Sequence, residues 1–414
     1  MQTQLAGFMR GTPEGREAEA ILRKCVHCGF CTATCPTYQL LGDELDSPRG
    51  RIYLIKQALE GGPVTQRTRL HLDRCLTCRS CETTCPSGVQ YGRLADIGRR
   101  VVEERTTRSR WERLQRAVLG YVLPRTKLFG ALLVLGQLAR PFLPRALREK
   151  VPPRSEAAGV RPAVRHRRRL LTLAGCVQPA LAPAINAAAA RVLDRIGISL
   201  VEAPGAGCCG ALRFHLNQQE AGLADMRALI DRWWPLIEGG GVEGIVITAS
   251  GCGTTIEDYA HLLEHDPDYR HKAARVALLA RDISELLAAE APAVERLLAA
   301  RAPRSKALRV AFQSPCSLQH GLKVRGVVEQ LLARSGHELA PVAEPHLCCG
   351  SAGSYSILQP EISLQLRARK LDALASGEPQ VIATANIGCL AHLQAGTATP
   401  VRHWIQLLDD ALQE

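Results

Sequence analysis

From residue 170 onward, short hydrophobic runs alternate with stretches in which apolar residues recur at helical spacing. Residues 187–196 and 327–334 are two of these helical stretches. The alternation predicts parallel βαβ units, because parallel strands need a crossover connection between them. The runs that predict strands are residues 170–174, 198–201, 245–248, 310–312, 338–342 and 381–383. The second part of the chain is therefore predicted to be α/β.

Before residue 170 the pattern predicts helices instead. Ser47-Pro48 has the signature of a helix N-cap followed by proline at the first helical position, and Gly61-Gly62 supplies a stop. These signals predict a helix that runs through residues 51–60. A second helix is indicated by an apolar stripe that ends before Pro124 and consists of Leu114, Ala117, Val118, Tyr121 and Val122.

A further apolar stretch covers residues 128–139. Only twelve residues separate its flanking Lys127 and Arg140, whereas a simple transmembrane helix needs ~20 apolar residues. A simple membrane-spanning helix is thereby excluded. Two interpretations remain open, namely a helix that docks on the protein's own core or on a partner, and an interfacial helix on an anionic membrane.

The positive charge is concentrated around this stretch. Of the formal net charge of +12, residues 105–169 alone contribute +14, with 17 Lys and Arg against 3 Asp and Glu. An acidic lipid surface, nucleic acid or an acidic protein would each complement such a segment. Because the segment has few aromatic residues for stacking and no known binding motif, we expect no nucleic-acid partner.

The composition limits which residues can build the hydrophobic core and which cellular compartment is expected. With 46% hydrophobic but only 4% aromatic residues among 414, the cores must be built mainly from Leu, Val, Ile and Ala. Residues 1–15 show no basic n-region followed by an apolar h-region, so we expect a cytoplasmic protein. In a reducing compartment, sixteen cysteines indicate metal ligands rather than disulfides.

All sixteen cysteines belong to two internal repeats. In the first repeat, four cysteines recur 50 residues later, and a proline follows the fourth cysteine of each copy. In the second, three cysteines recur after 140 residues and a fourth after 137. The first repeat comprises Cys25, Cys28, Cys31 and Cys35 with Cys75, Cys78, Cys81 and Cys85, and the second comprises Cys176, Cys208, Cys209 and Cys252 with Cys316, Cys348, Cys349 and Cys389.

The first repeat has the spacing Cys-x2-Cys-x2-Cys-x3-Cys-Pro, in which three thiolates hold one [4Fe-4S] cluster and the fourth reaches a second cluster. Zinc sites instead use two Cys-x2-Cys pairs. We therefore predict two [4Fe-4S] clusters with crossed ligation. Cluster 1 is assigned to Cys25, Cys28, Cys31 and Cys85, and cluster 2 to Cys75, Cys78, Cys81 and Cys35.

The second repeat places its cysteines after the predicted strands, which is where ligands bind in open α/β sheets. Adjacent thiolates in Cys208-Cys209 and Cys348-Cys349 point apart, so they are unsuited to an ordinary cubane motif. The eight cysteines of this repeat are predicted as an additional redox or cluster site, with a disulfide or simple burial as the alternative. Gly205-x-Gly207-x-x-Gly210 fits a dinucleotide fingerprint, but the second copy lacks that glycine spacing, so we reject it.

Four polar residues near the motifs are weaker candidates. His27 and Arg79 lie inside the two ferredoxin-type motifs, where they either shift the potential of a cluster or simply face solvent. His320 and His346 lie near the cysteines of the second copy, as accessory ligands or as solvated or hydrogen-bonded side chains. The first copy has alanine at both equivalent positions, which favours the second interpretation.

Together these signals predict an α plus α/β architecture with four parts. Residues 1–104 form an α-helical ferredoxin domain with two [4Fe-4S] clusters, and residues 105–169 a basic helical linker. Residues 170–300 and 301–414 form two repeated α/β cysteine-rich lobes.

The chain resembles the iron-sulfur subunits of glycolate oxidase, within a wider group of Cys-Cys-Gly proteins. Four segments carry the resemblance: Cys25-Val-His-Cys-Gly-Phe-Cys-Thr-Ala-Thr-Cys-Pro-Thr-Tyr, Ser47-Pro-Arg-Gly-Arg-Ile-Tyr, Cys348-Cys-Gly-Ser-Ala-Gly, and the tail from Asn386-Ile-Gly-Cys through Val401-Arg-His-Trp. The double ferredoxin motif is shared with many oxidoreductases. The other segments are more specific, and the likeness runs nearly end to end.

This resemblance implies that a separate FAD-binding subunit oxidises glycolate to glyoxylate. The present chain would carry the electrons onward to a membrane acceptor, a quinone, without binding substrate. It implies flavin-binding partner subunits and peripheral contact with the cytoplasmic face of the inner membrane. No flavin fingerprint is evident in the sequence, as expected for a chain that conducts electrons.

Other functions are compatible with the same cysteine framework. The chain could serve lactate or glycerol-3-phosphate oxidation as an iron-sulfur subunit. It could act on thiols and disulfides in the manner of heterodisulfide reductase, to which the Cys-Cys-Gly lobes are similar. A regulatory iron-sulfur sensor bound to nucleic acid is a third class, which the lack of a binding motif disfavours.

One departure separates this chain from heterodisulfide reductase. In that relative, each lobe carries a Cys-x-x-Cys ending that supplies a fifth ligand for an irregular cluster. Here Ala249 and Asn386 stand three positions before Cys252 and Cys389. Each lobe thus offers four thiolates, so a simpler cluster, one shared between lobes, or none is expected there.

Overall fold

The computed structural model describes residues 1–144, 148, 151–300 and 307–413. The chain divides into two compact units, the first made of residues 1–116 and 346–370 and the second of residues 117–345 and 371–414. The predicted division after residues 104, 169 and 300 cuts the chain into continuous segments, and it stays a prediction. Its last boundary lies partly outside the described residues, since residue 301 is not among them.

Helices occupy most of the first unit and flank the sheets of the second. In chain order they are α1 Pro13–Lys24, α2 Pro36–Leu41, α3 Pro48–Leu59, α4 Gln66–Asp73, α5 Ser80–Thr84, α6 Tyr91–Arg105, α7 Arg110–Val122, α8 Thr126–Ala139, α9 Gln178–Leu181, α10 Ala184–Arg195, α11 Ala211–His215, α12 Gln219–Glu238, α13 Ser250–Glu257, α14 Tyr259–Leu262, α15 Arg270–Leu279, α16 Ile283–Ala289, α17 Ala291–Ala299, α18 Val327–Arg334, α19 Tyr355–Leu358, α20 Pro360–Ala375, α21 Ile387–Gln394 and α22 Trp404–Gln413. Short 3-10 turns lie at Phe30–Thr32, Glu44–Asp46 and Arg140–Phe142, and a π-turn at Ser317–Gly321.

Two parallel sheets of four strands form the framework of the second unit. Their orders are β2-β1-β3-β4 and β6-β5-β7-β8, so the two copies of the second repeat have the same topology. The strands are β1 Arg168–Thr172, β2 Ile198–Val201, β3 Gly244–Ile247, β4 Ala280–Asp282, β5 Arg309–Gln313, β6 Glu338–Leu339, β7 Val381–Thr384 and β8 Val401–His403.

The helix between the two ferredoxin-type motifs forms as predicted. The Ser47 hydroxyl accepts a hydrogen bond from the Gly50 N–H, and Pro48 begins α3. Gly98 then lets α6 approach α3 closely, because a Cβ at that position would lie 2.5 Å from Cγ1 of Ile55. The two helices enclose much of the core of the first unit, to which Ile55, Leu59 and Leu94 contribute fully buried side chains.

The two sheets share one hydrophobic core inside the second unit. Leu170 and Val246 from the first sheet and Val310 and Val381 from the second belong to the same buried cluster. Helix α10 packs there against α22, where the Arg191 guanidinium lies 2.7 Å from the Asp409 carboxylate. The duplicated lobes are thus joined by burial of apolar surface as well as by an ion pair.

The mixed architecture predicted from sequence is confirmed, with a helical N-terminal domain followed by two cysteine-rich regions that contain parallel sheets. The sequence patterns missed β4 and β8, each only three residues long. Both lie at the edge of a sheet and contain charged or polar residues, so neither shows a hydrophobic run.

Helices α7 and α8 expose much of their apolar surface. No residue of α8 is buried, and Leu132, Val134, Leu135 and Leu138 are exposed on it. Among the described residues, no single helix is both long and apolar enough to cross a membrane. Only α7 taken together with the segment Thr126–Phe142 reaches that length and composition, and the pair is bent by 107°.

His403, at the end of β8, ties the two sheets together inside the second unit. Its Nε2 lies 2.8 Å from the Thr248 carbonyl, and its Nδ1 accepts a hydrogen bond from the Ile405 N–H. From these partners we infer that the imidazole of His403 is neutral and carries its proton on Nε2. Burial lowers the pKa of His403 to about 4, although the backbone carbonyls that it faces oppose that change.

We predict that His403 makes stability fall with acidification. Between the folded pKa near 4 and the unfolded value of about 6.5, the unfolded chain binds more protons, so this contribution is lost as the pH decreases below 6.5. The expected loss between pH 7 and pH 5 is about 2 kcal/mol. Thermal unfolding of the parent and of His403→Gln should therefore differ less at pH 5 than at pH 7.

The matched control is His271→Gln, which changes an exposed histidine on α15. Its difference from the parent, measured at the same two pH values, gives the effect of replacing a solvent-exposed histidine by glutamine. A gap between the parent and His403→Gln that stays constant from pH 7 to pH 5 would contradict the prediction.

Candidate metal centres

The two ferredoxin-type loops bend in the same unusual way. The second and fourth residues after the first cysteine have positive φ in both copies: His27 and Gly29 in one, Thr77 and Arg79 in the other. Three of these four are not glycine, and each left-handed residue costs about 1–2 kcal/mol. Strain that is repeated at equivalent positions indicates a functional requirement, which here is to turn three successive cysteines toward one point.

Each loop lines a cavity together with the fourth cysteine of the other motif. Site A is the cavity lined by Cys25, Cys28, Cys31 and Cys85, and site B is the cavity lined by Cys35, Cys75, Cys78 and Cys81. Cys81 also borders site A. The structure thus brings together the two sets that the sequence assigned, including the exchange of the fourth cysteine. That these thiolates ligate clusters remains a prediction.

The exchange follows from a local pseudo-twofold arrangement of the repeat. Thr34 and Thr84, which are 50 positions apart, meet through hydroxyl oxygens that lie 3.1 Å from each other. Cys35 and Cys85 follow these threonines directly, and each is followed by a proline. Because equivalent residues face each other at this point, each fourth cysteine lies beside the loop of the other copy.

The thiols at the two sites are suited to iron and poorly suited to a metal-free state. Burial and the charge of Cys25 raise the pKa of Cys31 to about 11. At site B, burial and the charge of Cys78 raise the pKa of Cys81 well above its ordinary value. Four thiolates in one cavity need positive charge, and iron supplies it in a [4Fe-4S] cluster. The residues therefore fit the predicted cluster at both sites.

Site A is the more accessible of the two. Cys28 is exposed, and Cys31 and Cys85 are partly exposed. The Arg49 guanidinium lies near Gly29, since a Cβ there would lie 3.0 Å from Arg49 Nη1. Arg49 is itself paired with Glu44 at 2.7 Å, so its charge is largely compensated.

Site B is surrounded by buried charge that sequence reasoning missed. Arg51 on α3 is completely buried and donates to the His71 carbonyl, the Thr37 hydroxyl and the Asp46 carboxylate. Arg99 on α6 is buried too and donates to the carbonyl of Cys75 at 2.6 Å. The sequence places Arg51 in the helix that follows Ser47-Pro48, but this pattern does not distinguish a buried arginine from a solvated one.

The Cys-Cys-Gly segment of the second copy belongs to the first unit, together with site B. Cys348 and Cys349 are buried there. The Tyr355 hydroxyl donates to the carbonyl of Arg74 at 3.0 Å, directly before Cys75 in the chain. Burial raises the pKa of Tyr355, and the charges of Cys75 and Cys348 raise it further. One tyrosine therefore lies close to both cysteines.

In the first copy, the four cysteines of the second repeat meet in the second unit. The sulfur of Cys208 is in hydrogen-bond contact with those of Cys176 and Cys209, and Cys209 contacts Cys252. The expectation that the adjacent thiols Cys208 and Cys209 point apart is therefore wrong. Hydrogen bonds from Cys176 and Cys209 lower the pKa of Cys208, and the same contacts raise the pKa of the donors. The four thiols thus form a row of three contacts, and thiols are the ligands that soft metals prefer.

The second copy is divided differently, with Cys316 and Cys389 in the second unit and its Cys-Cys pair in the first. Asn386 donates to the sulfur of Cys389 at 3.6 Å and accepts from the Gly251 N–H at 3.3 Å. Ala249, at the equivalent place in the first copy, is buried in the core. All sixteen cysteines lie in the described part of the chain, and none of them is in a disulfide bond.

The two histidines near these cysteines differ in burial. His320 is buried in the π-turn Ser317–Gly321, whereas His346 is partly exposed. The structure adds no ligand geometry that assigns either one to a metal, and their interpretation as solvated or hydrogen-bonded residues stays a prediction.

The glycine of each Cys-Cys-Gly segment has a steric role. Gly210 and Gly350 have φ values of +83° and +87°. A Cβ at Gly210 would lie 2.5 Å from the Gly222 carbonyl oxygen, and one at Gly350 would lie 2.6 Å from that of Ser363. In both copies the backbone of a following helix thus packs directly on this turn. The Gly210 and Gly350 N–H groups each also donate to the first cysteine of the pair at 3.4 Å.

Comparison with protein families agrees with this division. The 4Fe-4S dicluster domain family matches residues 21–89. The cysteine-rich domain family matches residues 171–257 and again residues 310–394. The two families thus cover the two internal repeats.

Individual relatives extend the match to the whole chain. The glycolate oxidase iron-sulfur subunit of Escherichia coli (strain K12) is 54% identical over 100% of both chains. The probable glycolate oxidase iron-sulfur subunit of Bacillus subtilis (strain 168) is 31% identical over 92% of this chain and 90% of its own length. Lactate utilization protein A of Exiguobacterium is 22% identical over 58% of this chain and 96% of its own length.

We predict that Gly210→Ala is much more destabilising than Gly197→Ala. Both glycines have a φ of +83°, but a Cβ at Gly197 meets nothing within 4 Å. Gly197→Ala should cost only the left-handed conformation, about 1–2 kcal/mol. Gly210→Ala adds the clash with the Gly222 carbonyl and should cost roughly 2–5 kcal/mol in total. Thermal unfolding of both variants measures the difference, and equal melting temperatures would contradict the steric explanation.

Proposed function

The chain belongs to the family of glycolate oxidase iron-sulfur subunits, and from that premise we propose that it is the electron-transfer subunit of a flavin-dependent enzyme that oxidises glycolate to glyoxylate. The observation that carries the proposal is the pair of cavities at sites A and B, each of which brings together one of the two predicted sets of four cysteines. Two adjacent one-electron carriers suit a chain that receives a pair of electrons and releases them singly.

The residues of the chain have distinct roles in this proposal. The eight cysteines of sites A and B hold two [4Fe-4S] clusters, which supply one-electron redox chemistry when bound. The left-handed loops orient the thiolates, and helices α3 and α6 bury site B. Exposed Cys28 leaves site A open to a partner. The protein thereby provides binding, orientation and electrostatics around the clusters.

The chemistry on glycolate is assigned to partner subunits. Oxidation to glyoxylate removes two electrons and two protons, and we place that step on FAD in a separate subunit, with no substrate site in this chain. The relative from Escherichia coli is named as a subunit, which supports a larger complex. A membrane quinone is the proposed final acceptor.

Lactate is the main competing substrate. The relatives include several proteins named lactate utilization protein A, although these align with only about half of this chain. The purified complex should be assayed with glycolate, lactate and glycerol-3-phosphate in parallel. Turnover of lactate without turnover of glycolate would assign the complex to the competing substrate.

The four thiols of the first copy form a further candidate centre. Their sulfurs are already in contact, and soft thiolate ligands favour an iron-sulfur cluster or zinc. We propose an additional redox site at Cys176, Cys208, Cys209 and Cys252. The corresponding cysteines of the second copy, Cys316, Cys348, Cys349 and Cys389, are the second candidate set.

We predict that Cys28→Ser and Cys78→Ser each remove one cluster of the relay. The parent should contain about eight iron atoms in these two clusters, and each variant should lose about four together with one EPR signal. Reduction of the membrane acceptor should stop in both. Direct reduction of a dye by the flavin subunit should continue, which shows that the flavin chemistry is intact.

Unchanged reduction of the membrane acceptor by either variant would refute the relay role. Cys208→Ser, made in the full chain, tests the lobes separately. Iron above about eight atoms in the parent that disappears in Cys208→Ser supports the additional site. Parent and variant with the same iron content would remove that site from the proposal.

We further propose that the complex works in the cytoplasm at the inner membrane, with α8 as the contact of this chain. Leu135 and Leu138 are exposed on α8. Lys127 and Arg140 flank them in the basic segment, which suits an interface that carries anionic headgroups.

We predict that Leu135→Glu weakens binding to vesicles of phosphatidylglycerol and phosphatidylcholine. The variant loses one leucine that would be buried in the lipid interface and gains a negative charge. Its affinity for the vesicles should fall by roughly tenfold or more in a sedimentation assay. Leu278→Glu is the matched control, because Leu278 and Leu135 are both 61% exposed. Equal binding by the two variants, or equal binding of the parent to phosphatidylcholine alone, would contradict α8 as the contact.

A further inference from the structure

The charged groups around site B are arranged around one buried guanidinium. Arg51 Nη2 lies 3.3 Å from Asp46 Oδ1, and Nδ1 of His71 lies 3.1 Å from the same oxygen. Arg74 reaches the other carboxylate oxygen of Asp46 at 2.8 Å. Asp46 is therefore the buried counter-ion of two arginines, and its single negative charge does not neutralise both. The Asp43 carboxylate lies within 4.8 Å of ligand atoms of Asp46 and His71, but it is exposed to solvent.

A second buried arginine adds to this excess of positive charge. Arg99 donates to the carbonyls of Leu72 and Cys75, both neutral acceptors. Site B also has a nearby carboxylate, since Glu82 follows Cys81 directly and accepts from the Gly92 N–H at 2.6 Å.

Among the described residues, the cations near site A are less buried than Arg51. The amino group of Met1 is partly buried and donates to the carbonyl of Cys25 at 3.0 Å. Arg49, which lines site A, retains 34% of its side-chain exposure, and Glu44, 2.7 Å away, retains 44%. Water therefore screens this pair. The difference between the sites is that the charge of Arg51 is both buried and incompletely compensated.

Reduction of a [4Fe-4S] cluster adds one negative charge. Burial alone disfavours that change, because the more highly charged state loses hydration. A fixed positive charge inside the same low-dielectric region favours it, and electrostatic interactions there are much stronger than in water. Hydrogen bonds and charges around a cluster are known to set its potential.

We propose that Arg51, supported by Arg99, raises the reduction potential of the cluster at site B and so keeps a buried cluster reducible. The inference rests on the proposed function, since it requires a cluster at that site. Arg51 is a positioning residue in this role: it acts through its charge and contacts no substrate. Because a guanidinium stays protonated at all working pH values, the effect is permanent.

The test is an EPR-monitored redox titration of the purified full chain. Cys28→Ser assigns the signals, because the signal that it retains belongs to site B. Arg51→Gln should move the potential of that signal to more negative values, and Arg51→Lys should restore part of the shift. Asp46→Asn should move it to more positive values, because Arg51 and Arg74 then lose their counter-ion.

Two further variants separate charge from structure. Arg49→Gln is the matched control from the same helix and should leave the site B signal where it is in the parent. Arg99→Gln should shift it negatively while Arg51 is intact, so it carries the test if Arg51→Gln fails to retain iron. If the role of Arg51 were purely structural, Arg51→Gln and Asp46→Asn would not shift the reduction potential of site B in opposite directions.

Iron content distinguishes a failure of the proposed function from a failure of the proposed role of Arg51. A parent chain without iron at sites A and B would overturn the proposed function. Variants that retain full iron content but show the parental potential at site B would overturn only the role of Arg51. Opposite shifts in Arg51→Gln and Asp46→Asn, with Arg49→Gln unchanged, support it.

Discussion

The constraint on which the first unit depends is the convergence of four thiolates inside a protein interior. Like charges in a low-dielectric cavity repel, and burial makes each thiolate more costly. Two neighbouring features bear on the convergence and on its charge. The left-handed residues His27, Gly29, Thr77 and Arg79 turn the thiolates inward, and the buried Arg51 and Arg99 supply positive charge at the more enclosed site. The remaining positive charge is assigned to iron.

Both internal repeats preserve the backbone arrangement of their two copies, but the copies differ in the surroundings of their cysteines. Sites A and B keep the same loop conformation while they differ in burial and in neighbouring charge. The two sheets keep the same strand order. The four cysteines of the first set lie within the second unit, whereas the second set has members in both units.

How much was predictable depended on whether a feature is encoded locally. The spacing of the cysteines identified both crossed sets, since a rigid cluster dictates the separation of its ligands. Ser47 and Pro48 predicted α3 for the same reason, as capping is a matter of a few adjacent residues. Arg51 and Tyr355 donate hydrogen bonds to carbonyls that are 20 and 281 positions away along the chain, and Asp46 acts through the surroundings that it shares with Arg51. No pattern along the chain reports such contacts. Strands β4 and β8 were missed because three mixed residues carry no periodicity.

The charged groups around site B also bear on proton coupling, since Arg51 and Arg99 are buried beside one histidine, His71, whose Nδ1 lies 3.1 Å from Asp46. A histidine that changes its charge near neutral pH couples a nearby reduction to uptake of a proton. A guanidinium keeps its charge throughout that range, so the effect of Arg51 and Arg99 on the cluster needs no proton. Oxidation of a hydroxy acid releases both electrons and protons, and a subunit that conducts only electrons leaves the protons to be released elsewhere. The buried Arg51 and Arg99 thus fit the proposed division of labour, in which the partner subunit handles protons and this chain handles electrons alone.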